Sequence, residues 1–106
     1  MNYMDWSDIM NDTGIRPQVL TEIQELAQKY GIEKVILFGS RARGDFKRTS
    51  DIDLAVKGGD FTRFALDVDE ETSTLLKYDI IDLDRDIQDE LRESIQKDGR
   101  IIYEKI

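Results

Sequence analysis

The stretch Val35–Lys57, VILFGSRARGDFKRTSDIDLAVK, constrains this chain more than any other. An apolar run ends on Gly39-Ser40, a short basic segment follows, and a second apolar run carries Asp51 and Asp53. In a strand successive side chains alternate faces, so Ile52 and Leu54 point into a core while Asp51 and Asp53 share the other face. Two carboxylates are thereby held side by side. Like charges that close repel and raise one another's pKa unless a cation lies between them, and an all-oxygen donor set suits Mg²⁺. Gly39 lets the backbone approach a ligand closely, and Ser40 suits the first residue of a helix, whose free N–H groups attract phosphate. Arg41, Arg43, Lys47 and Arg48 place four of the fifteen Lys and Arg residues within a short segment, against a formal net charge of -8. A triphosphate held between metal-binding aspartates and basic side chains accounts for that local reversal of sign.

Gly39-Ser40, ten residues, then Asp51-Ile52-Asp53 resembles the GS-x10-DxD signature of the polymerase-β-like nucleotidyltransferase superfamily. The wording Phe38-Gly39-Ser40-Arg41-Ala42-Arg43-Gly44 and Ser50-Asp51-Ile52-Asp53-Leu54 is most similar to the minimal nucleotidyltransferases, typically encoded beside a HEPN-domain protein as an antitoxin–toxin pair. The resemblance spans about Val35–Asp82; the flanks add compatible pattern and little identity. It implies an α/β fold, a small mixed sheet of about four strands with helices packed mainly on one face and the metal site at the other, open face. It implies two Mg²⁺ ions, one held by Asp51 and Asp53 with triphosphate oxygens and one by the same pair with a third carboxylate, for which Asp79 is the best match. Asp82 competes, but lies on the opposite face of a regular strand from Asp79. Gly39, Ser40, Arg41 and Arg43 would hold the nucleotide. The implied reaction moves AMP from ATP to a tyrosine hydroxyl of the HEPN toxin, with Asp79 as base. Two alternatives stand beside it: a non-enzymatic antitoxin that covers its partner, and a nucleotidyltransferase for a small hydroxylated molecule such as an aminoglycoside.

Composition narrows the chemistry further. At 106 residues the chain suits one domain, residues 1–106, with a single core. It has no cysteine and no histidine, which leaves carboxylates as the side chains able to act as a base near neutral pH. No stretch approaches the roughly 20 apolar residues that span a bilayer, and the N-terminus lacks a basic leader, so a cytoplasmic protein is expected. An acidic chain is a poor nonspecific partner for nucleic acid. With little chain beyond the expected sheet, the acceptor platform is expected from another chain, by homodimerisation or from the partner.

In chain order, Tyr3, Met4, Trp6, Ile9 and Met10 form a short amphipathic pattern expected to pack on the domain, and 11–14 reads as a turn. Pro17 opens a helix carrying Val19, Leu20, Ile23, Leu26, Ala27 and Tyr30, stopped by Gly31. Strands are expected at Glu33–Phe38, Asp51–Lys57, Tyr78–Leu83 and Arg100–Tyr103, the first two as antiparallel neighbours. Gly39–Phe46 holds a turn and short helix. Asp60 is read as the cap of a helix bearing Phe61, Phe64, Ala65 and Val68, with Leu75-Leu76 as another helical turn. A last helix is expected at about Asp86–Lys97.

Overall fold

The computed structural model describes residues 11–106, and the aromatic pattern around Tyr3 and Trp6 lies outside them. A 3-10 turn at Asn11–Thr13 leads to helix α1 (Pro17–Lys29), with Pro17 in its first turn and Val19, Leu20, Ile23 and Ala27 on its buried face. Strand β1 (Lys34–Phe38), short helix α2 (Gly39–Arg43), β2 (Ile52–Lys57), α3 (Phe61–Glu71), β3 (Tyr78–Asp82), α4 (Asp89–Asp98) and β4 (Arg100–Glu104) follow. Asp60 caps α3, its carboxylate accepting the N–H of Arg63 at 3.3 Å. Leu75-Leu76 is not helical, contrary to expectation. The segment before it spends its donors outside a helical ladder: Leu76 N–H donates to the nearby Thr74 Oγ1 at 3.1 Å, and Ser73 N–H to the distant Glu22 carboxylate of α1 at 2.7 Å. Such side-chain bonds compete with helix formation.

The four strands form one mixed sheet in the order β3-β2-β1-β4. β1 and β2 are antiparallel with Phe38 opposite Asp53, and β1 pairs antiparallel with β4 across a register shift at Val35/Ile36. β2 and β3 are parallel, joined through α3, with Asp53 opposite Asp79 in an unbroken register.

Strand alternation divides the apolar residues between two faces. Val35, Leu37, Leu54 and Val56 face α1 and α3, packing with Ile23, Phe64, Val68 and Ile102, all essentially inaccessible to water. Each such side chain contributes about 1.5–3 kcal/mol by leaving water. Ile36, Phe38, Ala55 and Ile81 face the other way, against Leu91 and Ile95 of α4. The second face is therefore less open than the sequence pattern implied: α4 covers part of it. Its acidic first turn, Asp89 and Glu90, and Lys97 in its last turn match the helix dipole. Beyond that cover Asp53 is half-buried and Asp79 exposed.

Candidate active site

Asp51 stands one residue before β2 and is exposed, Asp53 lies within the strand, and Asp79 is on the edge strand β3. Because Asp53 and Asp79 are register partners in a parallel pair, their side chains leave the sheet on the same face. The electrostatics report the crowding. Burial, then the Asp79 charge, then the Asp51 charge push the Asp53 carboxyl up to about 6, with Arg43 pulling it back. Exposure at an edge explains how Asp79 is tolerated in an otherwise apolar strand. Asp82 points elsewhere: its carboxylate accepts the N–H of Asp84 at 2.9 Å and faces Arg85 at 3.7 Å.

Gly39 is explained by Asp53. A Cβ at position 39 would stand 2.1 Å from Asp53 Oδ2, and the backbone there has φ +75°, which side-chain-bearing residues rarely adopt. The glycine therefore brings the start of α2 directly against the carboxylate. Phe38, not Ser40, occupies the N-cap position, and Ser40 falls in the first turn, half-buried, its carbonyl accepting from Gly44 N–H at 2.9 Å and Asp45 N–H at 3.2 Å.

The two arginines of the motif part company. Side chains two positions apart on a helix diverge by roughly 200°, since each residue turns about 100°. Arg43 remains at the surface, held by Asp45 at 3.3 Å and Asp98 of α4 at 3.6 Å, and close enough to Asp53 for its charge to be felt. Arg41 turns inward and is 1% exposed. Its guanidinium donates to the carbonyls of Thr13 at 2.8 Å, Ser50 at 3.0 Å, Arg48 at 3.2 Å and Lys47 at 3.5 Å, and lies 4.7 Å from the Phe46 ring centre. Arg41 is thus not placed among the carboxylates, whereas Arg43 is. Lys47 and Arg48 are exposed and contribute backbone carbonyls to this clasp. Phe46 and Thr13 went unnoticed as members of it; an aromatic residue in a short polar loop was the available signal.

Among the described residues no three acidic side chains are gathered tightly enough to enclose a metal ion by themselves. The donor chemistry nevertheless fits Mg²⁺, which keeps waters and is bound through one or two carboxylates plus substrate phosphates. Burial first, and then the charges of Asp79 and Asp51, raise the proton affinity of Asp53, and a cation beside it would oppose that rise.

A family model, polymerase beta nucleotidyltransferase, matches residues 21–106. The chain belongs to this family. It is a nucleotidyltransferase. A Methanocaldococcus jannaschii relative, provisionally named a protein adenylyltransferase, is 33% identical over 92 residues, covering 76% of this chain and 90% of its own. Among solved structures, a toxin–antitoxin with AMP-PNP superimposes with a TM-score of 0.65 at 23% identity, over 81% of this chain and 73% of that one. A mutant of the toxin–antitoxin MntA-HpeT gives 0.63 at 21% identity over the same shares. A Sulfolobus solfataricus protein, provisionally named a nucleotidyltransferase, gives 0.54 at 28% identity over 97% of this chain and 94% of its own. The sheet with its flanking helices is the nucleotidyltransferase fold, and the matched range includes Gly39-Ser40 and Asp51-Ile52-Asp53.

Proposed function

We propose that this nucleotidyltransferase is metal-dependent and transfers AMP from ATP to a tyrosine hydroxyl of a HEPN toxin, acting as its antitoxin. The observation that carries the site is the packing of Asp53 between Gly39 on one side and its register partner Asp79 on the other. Support for the reaction and partner comes from the protein adenylyltransferase name of the archaeal relative and from the toxin–antitoxin assemblies that share the fold.

In this reading Asp51 and Asp53 would hold two Mg²⁺ ions together with the triphosphate, and Asp79 would complete the second site. Bound there, Mg²⁺ would neutralise phosphate charge and lower the pKa of the acceptor hydroxyl. Gly39 admits the triphosphate close to the backbone, Ser40 offers its hydroxyl, and Arg43 meets the outer phosphates with a charge already fixed by Asp45 and Asp98. Asp79, exposed on the edge strand, accepts the proton of the attacking hydroxyl, which approaches from the β3 side. Beside Asp51 that side is an open groove lined by Thr49, Leu75, Leu76 and Lys77. Positioning and electrostatics provide most of such catalysis, so a small sheet suffices for the chemistry. The acceptor surface comes from the second chain.

Intact-mass spectrometry of the HEPN partner after incubation with this protein, Mg²⁺ and ATP tests the proposal, with Asp51→Asn/Asp53→Asn as control. The expected result is a gain of one or more AMP masses that the control lacks. No gain with any of the four nucleoside triphosphates, from a pair that still forms a complex, would shift the function to binding alone.

A further inference from the structure

Arg41 is the most deeply buried charge of the described chain, and its contacts join three separate pieces of backbone. It follows Ser40 in the same helical turn. Three of its acceptors, the carbonyls of Lys47, Arg48 and Ser50, belong to one tight turn that is itself closed by Ser50 N–H on Lys47 O at 3.0 Å and Lys47 N–H on Ser50 Oγ at 2.8 Å. The fourth, Thr13 O, lies in the 3-10 turn ahead of α1. That turn is pressed onto the clasp. A Cβ on Gly14 would stand 2.5 Å from Phe46 Cε2 and 2.7 Å from Arg41 Nη1.

The next residue after the clasped turn is Asp51, which lies outside the ladder of β2 and is not held by strand pairing of its own. We infer that Arg41 is a positioning residue for nucleotidyl transfer, fixing Asp51 relative to Ser40 by fastening the 47–50 turn to α2 and to the turn at Thr13. The inference rests on Asp51 being a metal ligand. A guanidinium suits the task because its planar fork can reach several carbonyls at once while its face lies on Phe46. A lysine ammonium at the same place is a single point of attachment. The role differs from gripping phosphate, since a side chain 1% exposed and engaged on four carbonyls has no face left for a nucleotide.

The test compares the wild type, Arg41→Lys, Phe46→Leu and Asp51→Asn. Three quantities are measured: Mn²⁺ affinity by electron paramagnetic resonance with α,β-methylene-ATP, amide hydrogen exchange at Lys47 and Ser50 in the metal-free chain, and affinity for the same nucleotide without metal by calorimetry. For Arg41→Lys the expectation is a roughly tenfold loss of Mn²⁺ affinity, the usual scale for removing a group that orients a metal ligand. Exchange at both amides should rise at least about tenfold, with nucleotide affinity in the absence of metal changed less than about twofold. Phe46→Leu keeps the guanidinium but thins its platform, and should weaken Mn²⁺ binding in the same direction by a smaller factor; it carries the test if Arg41→Lys fails to fold. Faster exchange with unchanged Mn²⁺ affinity would overturn the inference and leave Arg41 a purely structural clasp. An equal loss of metal-free nucleotide affinity would overturn it in favour of a phosphate contact. Unchanged Mn²⁺ affinity in Asp51→Asn would remove the underlying reading of the site, an outcome separate from failure of Arg41 alone.

Discussion

Asp53 carries most of the tension in this chain. Its carboxyl titrates near 6 in the folded protein against an ordinary 3.8, so between those values the folded state binds the extra proton. Stability therefore falls as pH rises through that window and stays lowered above it. Asp53→Asn is expected to stabilise the metal-free chain at pH 7 by about 1–2 kcal/mol, less than the ~3 kcal/mol of the full shift because solvent screens a half-buried group. At pH 3.5 the gain should vanish. Urea denaturation at both pH values checks this, and a less stable variant at pH 7 would mean that the folded site favours the charged carboxylate. Gly39→Ala is expected to cost about 1–3 kcal/mol and to lower transfer by at least about a hundredfold, since the methyl must displace the Asp53 carboxylate and hold φ at +75°. Denaturation and single-turnover rates report the two effects separately. At this scale the burial of Ile52 and Leu54 around Asp53 was legible from alternation, although Asp51 stands one residue ahead of β2, outside the strand pairing that alternation assumes. The fates of Arg41 and Arg43 were not, because which side of a five-residue helix faces the interior depends on what packs against it.

Helix α4 turns a simple sheet-and-helix layer into a two-sided arrangement that limits the open face to the neighbourhood of the carboxylates. Ile95, 6% exposed, is its main buried contact with Phe38 and Ala55. Ile95→Ala should destabilise the chain by about 2–4 kcal/mol and, by loosening Asp98 from Arg43, weaken nucleotide affinity a few-fold; calorimetry of folding and of binding checks both parts. The periodicity of Ile87, Leu91 and Ile95 announced the helix. It could not say on which face of the sheet it would land, because one apolar stripe suits either face. The strands were read nearly to their ends, since period-2 burial and the bounding glycines act locally. Leu75-Leu76 misled for the opposite reason: apolar content suggested helix, while the Thr72 and Thr74 hydroxyls make local bonds and the Ser73 hydroxyl is tied to Glu22 of α1.

Across the whole molecule an acidic chain concentrates its chemistry at one edge of the sheet, and no helix among the described residues is long and apolar enough to cross a membrane. Metal binding should therefore couple to global stability and to pH. Mn²⁺ with α,β-methylene-ATP is expected to raise the melting temperature at pH 7.5, and to raise it by less than about half as much at pH 5, where protons compete for Asp53. A thermal-shift series across that range tests it; a pH-independent gain would place the metal away from Asp53. By itself the sequence determined the elements, the spaced Gly39-Ser40 and Asp51-Ile52-Asp53 signature and the absence of histidine or cysteine chemistry, because each depends on residue type and short spacing. Only the tertiary structure decided that Asp79 rather than Asp82 faces Asp53, that Gly39 yields its missing Cβ space to that carboxylate, and that Arg41 is inside while Arg43 is outside. Those outcomes depend on strand register and on packing between segments far apart in the chain, which no local pattern encodes.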